Sequence, residues 1–228
     1  MNRLLAIIPA RGGSKGLPRK NIIEVRGRPL IAWTIDAAMS SMVVDRLVLS
    51  SDNDEIIATA LNLGCDVPFR RPDEISCDMS SSIDVLLHAI SELPSYEYIA
   101  LLQPTSPLRS AKDIDDAFDL MIQSGAPSCV SVCLSNESPY LMHKIDSNGL
   151  LEEFLKPPVG YLRRQDLPKS YILNGAIYIV RVDWLIENQL LVNNETVGYV
   201  MPLERSIDID DSKDLERFRL MLNYESYV

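Results

Sequence analysis

The stretch from residue 4 to residue 21 most constrains what this chain can fold into. It begins with an unbroken apolar run, Leu4-Leu5-Ala6-Ile7-Ile8, which predicts a strand buried on both faces. A loop rich in glycine and basic residues follows, and a helix is predicted from residue 29, with proline in its first turn. A loop between a buried strand and a helix lies at the carboxyl edge of a parallel sheet, where α/β proteins bind ligands. The sequence therefore predicts an α/β fold with a binding site at this loop.

The composition of the loop predicts a polyphosphate ligand. Glycines allow the backbone to approach an anion closely and to turn N–H groups toward it, and Ser14 adds a hydroxyl. Four cations stand in the loop although the formal net charge of the chain is −10; they are Arg11, Lys15, Arg19 and Lys20. The glycine spacing fits neither the dinucleotide fingerprint G-x-G-x-x-G nor the Walker loop G-x-x-x-x-G-K-[ST]. A solvated basic loop that uses glycine only for turning is the alternative.

Strand and helix patterns alternate along the rest of the chain, which predicts a parallel sheet with helices on both faces. No linker or repeat separates a second unit, so residues 1–228 are predicted to form one domain. The predicted strands lie at 47–49, 67–69, 98–102, 129–132, 176–180 and 197–200, and the predicted helices at 29–40, 54–63, 81–93, 111–123, 182–188 and 212–222. Ser212 is the predicted cap of the last helix.

The alternation breaks between residues 134 and 170, where prolines exclude a helix of ordinary length. Asp146-Ser147-Asn148-Gly149 predicts a turn there. The segment is either an arm that leaves the core or a plain long loop. An arm packed on a second copy of the chain would bury its apolar side chains, which predicts a homodimer. These side chains are Ile145, Leu150, Leu151, Phe154 and Leu155.

Composition excludes several classes of function. A net charge of −10 disfavours nucleic acid and anionic membranes as partners. No apolar run reaches the ~18 residues that a membrane-spanning helix needs, and no signal peptide is recognisable at the N-terminus. The four cysteines fit no zinc or redox spacing, which favours reduced thiols in a cytoplasmic protein. With two histidines in the chain, a histidine-rich metal site or a Ser-His-Asp triad is disfavoured.

Three further segments carry polar groups suited to contact a ligand. Gln103 directly follows a buried strand. The serines of Asp78-Met79-Ser80-Ser81-Ser82 precede a predicted helix, so they either cap it or present hydroxyls to a base or a phosphate. Arg71 lies upstream and either contacts a base edge or phosphate or forms a surface salt bridge. Asn174-Gly175 opens a strand, where glycine predicts a close backbone approach.

Charged residues near the C-terminal half predict recognition of a carboxylate and of a metal. Arg163 and Arg164 precede the Asn174-Gly175 strand, and an arginine suits a substrate carboxylate through a bidentate fork. Asp208 and Asp210 would point the same way from an extended segment and repel each other unless a cation joins them. Mg²⁺ takes one or two carboxylates together with phosphate oxygens and waters. A solvated acidic loop that ends in a helix cap is the alternative.

Taken together, four segments resemble the acylneuraminate cytidylyltransferases, which make CMP-activated sialic acids and related nonulosonic acids. The resemblance runs nearly end to end and rests on residues 8–21, 102–109, 174–178 and 206–210. It implies a nucleotide-diphosphosugar-transferase fold, with a mostly parallel, Rossmann-like sheet and an arm, at 134–170, that exchanges across a homodimer. It also implies the reaction of CTP with a nonulosonic acid to give the CMP-sugar and pyrophosphate.

The resemblance further implies a role for each site residue. Arg11, Ser14, Lys15 and Lys20 would hold the CTP phosphates, Asn21 would lie on the ribose side, and Arg71, Ser80 and Ser82 would read cytosine. Gln103, Arg164, Asn174 and Tyr178 would contact the sugar acid, with Arg164 supplied by either subunit. Asp208 and Asp210 would hold Mg²⁺. Catalysis would depend on Lys20 and Arg11 together with these two aspartates.

Two departures from the family pattern leave the sugar open. Leu190-Leu191 occupies the place where the sialic acid enzymes carry aromatic residues, and the arm has no clear match to the lysine of the family, for which Lys144 is a candidate. A less polar acid of the legionaminate or pseudaminate kind would suit these leucines. The alternatives are a CMP-Kdo synthetase, a family that favours arginine where Gly16 stands, and a non-catalytic nucleotide sensor of the same fold.

Overall fold

A computed structural model of the chain describes residues 3–13, 16–156 and 163–223. Its strands are β1 (Leu4–Pro9), β2 (Glu24–Val25), β3 (Arg28–Pro29), β4 (Val44–Ser50), β5 (Tyr98–Leu101), β6 (Ser128–Leu134), β7 (His143–Ile145), β8 (Leu151–Glu153), β9 (Tyr171–Arg181) and β10 (Val197–Val200). Its α-helices are α1 (Leu30–Met39), α2 (Asp54–Asn62), α3 (Ser82–Glu92), α4 (Ala111–Ser124), α5 (Val182–Asn188) and α6 (Ser212–Met221). Residues 67–69, predicted as a short strand or an extended segment, form no strand, and a single bridge joins the preceding Asp66 to Val48.

Six strands form the central sheet in the order β10-β6-β9-β5-β1-β4. β1 pairs in parallel with β4 and β5, and β6 pairs in parallel with β10. β9 is antiparallel to both of its neighbours, so the prediction of a parallel sheet is wrong for this strand. The reason is that no α-helix crosses over between β6 and β9 in the part of this connection that the structure describes: the chain runs out along β6 and returns in the opposite direction along β9. The sheet as a whole remains mostly parallel.

Side chains of β1 alternate between two cores, one on each face of the sheet. Leu4, Ala6 and Ile8 pack among α1, α2 and α4, while Leu5 and Ile7 pack among α3 and α5. All five are at most 1% exposed, which confirms the prediction of a strand buried on both faces. The carboxyl end of β1 is therefore held rigidly from both sides, and the loop that follows it starts from a fixed point.

Helix starts are fixed by side-chain caps. Capping boxes begin α3 at Ser81 and α4 at Ser110. The last helix is capped by Asp211, whose carboxylate accepts the N–H groups of Lys213 and Asp214, so the prediction of Ser212 as its cap is wrong by one residue. α6 packs through its buried Phe218 against Ile209 in a third apolar cluster, which holds the segment before α6 against the sheet.

The segment 134–170 is neither a structureless loop nor part of the core. β7 and β8 form an antiparallel hairpin whose turn falls at the predicted residues, and Gly149 adopts a φ of 84° there. The Asp146 carboxylate accepts the N–H groups of Asn148 and Leu150, each at 2.8 Å. The apolar side chains of the hairpin lie in solvent in the single chain, with Ile145 72% exposed and Leu151 68% exposed. Among the residues that the structure describes, no helix is long and apolar enough to cross a membrane.

Candidate active site

The predicted loops meet in one cleft at the carboxyl ends of β1 and β5. Its volume is about 320 Å³, and it is lined by Pro9, Arg11, Lys20, Asn21, Gln103, Pro104, Thr105, Asp208 and Asp210. The first loop supplies one wall, the loop after β5 supplies the floor, and the segment before α6 supplies the opposite wall. The structure thus brings six of the predicted site residues together: Arg11, Lys20, Asn21, Gln103, Asp208 and Asp210.

The cations of the first loop are paired with carboxylates from distant parts of the chain. Lys20 Nζ lies 3.0 Å from Asp210 Oδ1, and Arg11 Nη1 lies 2.8 Å from Asp78 Oδ1. The Asn21 side chain is buried and donates to the carbonyl oxygen of Arg11 at 3.1 Å, which fixes the loop from inside. These contacts hold two positive charges at the cleft. Ser14 and Lys15 lie outside the residues that the structure describes, so their assignment to the phosphates stays a prediction.

The first loop contains Gly12, Gly13 and Gly16, and packing within the protein requires glycine at two of these positions. A Cβ atom on Gly16 would lie 2.5 Å from the carbonyl oxygen of Asp210, and a Cβ atom on Gly12 would lie 2.8 Å from the Asn53 side chain. A Cβ atom on Gly13 would meet nothing within 4 Å. The Gly12 N–H donates to the Asp52 carboxylate at 2.9 Å, so this loop already presents one backbone N–H to an anionic group.

Asp208 and Asp210 lie on one side of an extended segment, as predicted. Ile207 and Ile209 between and beside them are buried, whereas both aspartates reach the cleft. Asp208 is exposed over the residue as a whole, but partial desolvation of its carboxyl, together with the charge of Asp210, raises its pKa above the ordinary value of 3.8, against a hydrogen bond from Thr105 and the charge of Lys20. The protein therefore stabilises the ionised form of Asp208 less well than water does.

The carboxylates of Asp208 and Asp210 fit a divalent ion whose remaining ligands are phosphate oxygens. In the described ranges, no three His, Cys, Asp or Glu side chains are grouped as a metal site, so the protein alone would not enclose an ion. Mg²⁺ does not need such a cage, because it binds through one or two carboxylates and keeps waters or phosphates as further ligands. The raised pKa of Asp208 agrees with this, since an added cation would stabilise its charged form.

The loop after β5 meets β9 at Gly175. Gly175 has a φ of +75°, and a Cβ atom there would lie 2.8 Å from Gln103 Oε1 and 3.5 Å from Asp208 Oδ2. The side chain of Tyr178 is half-buried nearby, and burial together with the charge of Asp208 raises its pKa. Gln103 and Tyr178, which are predicted to contact the sugar acid, thus both lie near Asp208.

Asn174, predicted to contact the substrate, is instead part of the internal scaffold. Its Oδ1 accepts from Ser131 Oγ at 2.6 Å and from the N–H of Ala176 at 3.2 Å. Its Nδ2 donates to Ser206 Oγ at 2.9 Å and to Met201 Sδ at 3.3 Å. An amide group offers two acceptor and two donor positions, and here all four are taken. The side chain therefore holds β9 in place and has no free position for a ligand.

The residues predicted to read cytosine lie beside the cleft without lining it. Arg71 is buried, so it is not a surface salt bridge: its Nε donates to Ser50 Oγ at 3.1 Å and its Nη2 donates to the carbonyl oxygen of Ser50. Burial lowers the pKa of Arg71 to about 10. Ser82 begins α3, and the hydroxyl of Ser80 accepts the N–H of Cys77 at 3.2 Å. The Arg11–Asp78 ion pair connects this turn to the first loop.

Two residues at the site, Thr105 and Arg109, were not singled out from the sequence, and the predicted role of a third, Arg164, is not tested by the structure. Thr105 donates its hydroxyl to Asp208 and accepts the N–H of Ile209 through its carbonyl oxygen at 2.9 Å. Arg109 lies buried behind the loop after β5. Both stand in the predicted segment 102–109, whose position after a strand was the available signal. The backbone of Arg164 opens a 3-10 turn, but its side chain is not among those described, so its role stays a prediction.

The chain has an α/β fold with a mostly parallel sheet and a polar cleft at the carboxyl ends of β1 and β5. The whole chain superposes on a CMP:2-keto-3-deoxy-manno-octonic acid synthetase solved in complex with CTP, with a TM-score of 0.74, 18% identity and coverage of 98% of this chain and 99% of that chain. Residues 5–221 match the family model described as cytidylyltransferase. The chain belongs to the cytidylyltransferase family.

Three curated relatives are similar to this chain over most of its length. It is 36% identical to the pseudaminic acid cytidylyltransferase of Campylobacter jejuni, over 97% of this chain and 98% of the relative. It is 35% identical to the CMP-N,N'-diacetyllegionaminic acid synthase of Legionella pneumophila, over 99% of this chain and 100% of the relative. It is 35% identical to the N-acylneuraminate cytidylyltransferase of Escherichia coli, over 94% of this chain, but spans only 51% of that protein.

Proposed function

We propose that this protein transfers CMP from CTP to the anomeric hydroxyl of a nonulosonic acid and releases pyrophosphate. The observation that carries the proposal is the cleft, where a paired cation, Lys20, faces two carboxylates, Asp208 and Asp210, next to the polar side chain of Gln103. Such a site provides charge for a polyphosphate at one end and hydrogen bonds for a hydroxyl-rich acceptor at the other. Membership of the cytidylyltransferase family and the names of the relatives support the same reaction.

The first loop would bind and activate the triphosphate. Phosphate oxygens would replace Asp78 and Asp210 as partners of Arg11 and Lys20, and Ser14 and Lys15 would add to this set. Asn21 would lie on the ribose side, while Arg71, Ser80 and Ser82 would read the base. Negative charge grows on the β- and γ-phosphates as they leave, and fixed cations stabilise that charge more strongly in a cleft than in water.

The acceptor hydroxyl would attack the α-phosphorus from the opposite side of the cleft. A bond forms between the anomeric oxygen and the α-phosphorus, the bond from the α-phosphorus to the bridging oxygen breaks, and the hydroxyl proton passes to solvent. Gln103 and Tyr178 would orient the acceptor, and Arg164, from either subunit, would bind its carboxylate. Asp208 and Asp210 would hold Mg²⁺, which when bound would neutralise phosphate charge and lower the pKa of the attacking hydroxyl.

The segment 134–170 would be a dimerisation arm. Its hairpin exposes Leu150, Phe154 and Leu155 at 50% or more, and the strand that leaves it exposes Ile172 at 57%. Contiguous apolar surface of this kind marks an interface, and a second copy of the chain would bury it. We also propose a cytoplasmic location, in agreement with four free cysteines, of which Cys65, Cys129 and Cys133 are buried.

The acceptor would be of the pseudaminate or legionaminate kind. Two of the relatives that this chain matches over nearly their full length are named for those acids. Leu190 is 46% exposed, which is in keeping with a less polar sugar, whereas Leu191 packs against the core.

A pyrophosphate-release assay tests the proposal. CTP, ATP, GTP and UTP are each combined with N-acetylneuraminate, legionaminate, pseudaminate and Kdo in the presence of Mg²⁺. Release with CTP and a nine-carbon acid supports the proposal, and the preferred acid fixes the substrate. Release with Kdo alone would assign the chain to the CMP-Kdo synthetases. Tight CTP binding without release from any acceptor would instead favour a nucleotide sensor.

A further inference from the structure

β9 leaves its regular pairing with β6 directly beside the cleft. Tyr178 pairs with Val130 and Leu173 pairs with Val132, so a single residue of β6, Ser131, is opposed by the four residues 174–177 of β9. The result is a wide bulge. Bulges next to sites redirect a strand, and this one brings Gly175 to within contact of Gln103 and Asp208.

The bulge is held from one side by β6. Ser131 Oγ accepts the N–H of Ile177 at 2.8 Å and donates to Asn174 Oδ1 at 2.6 Å. On the other side, Arg109 Nε donates to the carbonyl oxygen of Ala176 at 2.9 Å. The same guanidinium donates through Nη2 to the carbonyl oxygen of Gln103 at 2.7 Å. One planar group therefore joins the backbone of the Gln103 loop to the backbone of the bulge.

Arg109 is an unusual residue on energetic grounds. It is 2% exposed, its third hydrogen bond goes to Thr34 Oγ1 at 3.1 Å, and all three of its acceptors are uncharged. The nearest carboxylate, that of Asp113, is bound by Arg205. Burying a guanidinium without a direct carboxylate partner is costly, and burial lowers the pKa of Arg109 to about 9. Stability alone would favour an apolar side chain here, so a geometric role is the better explanation.

We propose that Arg109 is a positioning residue that sets the affinity of the cleft for the sugar acid. The planar guanidinium of Arg109 holds the carbonyl groups of Gln103 and Ala176 at a set separation. The distance between the Gln103 side chain and the Gly175 backbone therefore depends on Arg109. Gln103 lines the cleft and is the residue proposed to orient the sugar acid, whereas Arg109 has no hydrogen bond to those residues of the first loop that the structure describes. The identity of the ligand rests on the proposed function; the geometric claim does not.

The test replaces Arg109 with lysine, which keeps the charge but lacks the planar fork that bonds several acceptors at once. In Arg109→Lys the KM for the sugar acid is expected to rise roughly tenfold, because misplacing a binding group by a fraction of an ångström has effects of this order. The dissociation constant for CTP is expected to stay at the wild-type value. Arg46→Lys is the matched control, since Arg46 lies on the edge strand β4 and donates a hydrogen bond to Asp66, away from the cleft. It is expected to change neither constant.

Amide hydrogen exchange measured by mass spectrometry supplies a readout that needs no acceptor. Arg109→Lys is expected to accelerate exchange in segments 102–106 and 174–178 and to leave segment 9–13 unchanged. If exchange and the KM for the sugar acid both match those of Arg46→Lys, the proposal is wrong. If the wild-type protein releases no pyrophosphate with any acceptor, the proposed function fails, and the exchange pattern alone decides whether Arg109 positions these two segments. If Arg109→Lys weakened CTP binding as much as it raised the KM for the sugar acid, the proposal would also be overturned, because Arg109 would then have a general structural role.

Discussion

Lys20 Nζ and Asp210 Oδ1 are 3.0 Å apart, although 190 residues separate the two side chains in the sequence. The contact closes the cleft between the first loop and the segment before α6. It places a positive charge where a triphosphate would bind, next to the carboxylates that would hold its metal. Each half of this pair has a separate role in the proposed reaction, and removing either should affect chemistry more than folding.

Lys20→Ala should lower turnover by roughly 10²–10³-fold, because a preorganised charge is lost where negative charge develops. The Asp210 side chain is 77% exposed, so the lost ion pair should change the free energy of unfolding by less than about 1 kcal/mol. Steady-state kinetics at saturating CTP and urea unfolding measure the two effects. Lys112→Ala is the control, since it also removes a lysine–aspartate pair, with Asp116, but on the outer face of α4. Wild-type turnover in Lys20→Ala would remove Lys20 from catalysis.

Gly16→Ala should damage the site through backbone packing alone. Its Cβ would lie 2.5 Å from the carbonyl oxygen of Asp210, and a backbone atom cannot move aside as a flexible side chain does. Turnover and CTP affinity should both fall, with a loss of stability of about 1–3 kcal/mol. Gly13→Ala adds the same methyl group where no protein atom lies within 4 Å, and it should be as stable as the wild type. Equal behaviour of the two variants would show that the first loop does not need its contact with Asp210.

Asp208→Asn should abolish most turnover without destabilising the fold at neutral pH. Partial desolvation raises the pKa of Asp208 above 3.8, so the folded protein favours the protonated carboxyl. That contribution to stability is fully present below 3.8 and is lost as the pH rises through the raised pKa. In the absence of Mg²⁺, the asparagine variant should therefore be as stable as the wild type or more stable at neutral pH, and the difference should vanish in acid. Urea unfolding at a series of pH values checks this; a variant less stable than the wild type at neutral pH would contradict it.

The exposed hairpin predicts a homodimer in solution. Leu151→Glu combined with Phe154→Glu should shift sedimentation equilibrium from dimer to monomer, because each charge would be buried in the proposed interface. Met42→Glu is the control: Met42 is 89% exposed but lies after α1, outside the arm. A wild-type protein that is monomeric at micromolar concentration would contradict the arm as an interface.

Local patterns predicted most of the secondary structure. The bounds of α5 and β10 were predicted as observed, and the turn at Asp146 to Gly149 forms where its residues indicated. These features depend on periodicity, on side-chain caps and on turn residues, which act over a few positions. The prediction that Asp208 and Asp210 share a face also held, because alternation with Ile207 and Ile209 is a local property of an extended chain.

Features that depend on long-range contacts were not predictable in the same way. The direction of β9 depends on where the arm returns to the sheet, and no local pattern encodes that position. The prolines that exclude an ordinary helix between residues 134 and 170 were nevertheless a sign that β9 need not be parallel to β6. The role of Asn174 depends on Ser131 and Ser206, which lie 43 and 32 residues away. Arg109 was not singled out within the segment 102–109, because its buried position depends on contacts with Thr34 and Ala176, 75 and 67 residues away.

The most direct test of the central claim is to observe the bond that the protein is proposed to make. ³¹P NMR of a mixture of the protein, CTP, Mg²⁺ and pseudaminate or legionaminate should show the CTP signals replaced by pyrophosphate and one new phosphodiester signal. The new signal should require the sugar acid and should form far more slowly with Lys20→Ala. Consumption of CTP without a phosphodiester, or no consumption with any nonulosonic acid, would contradict the assignment of this chain as a CMP-transferring enzyme.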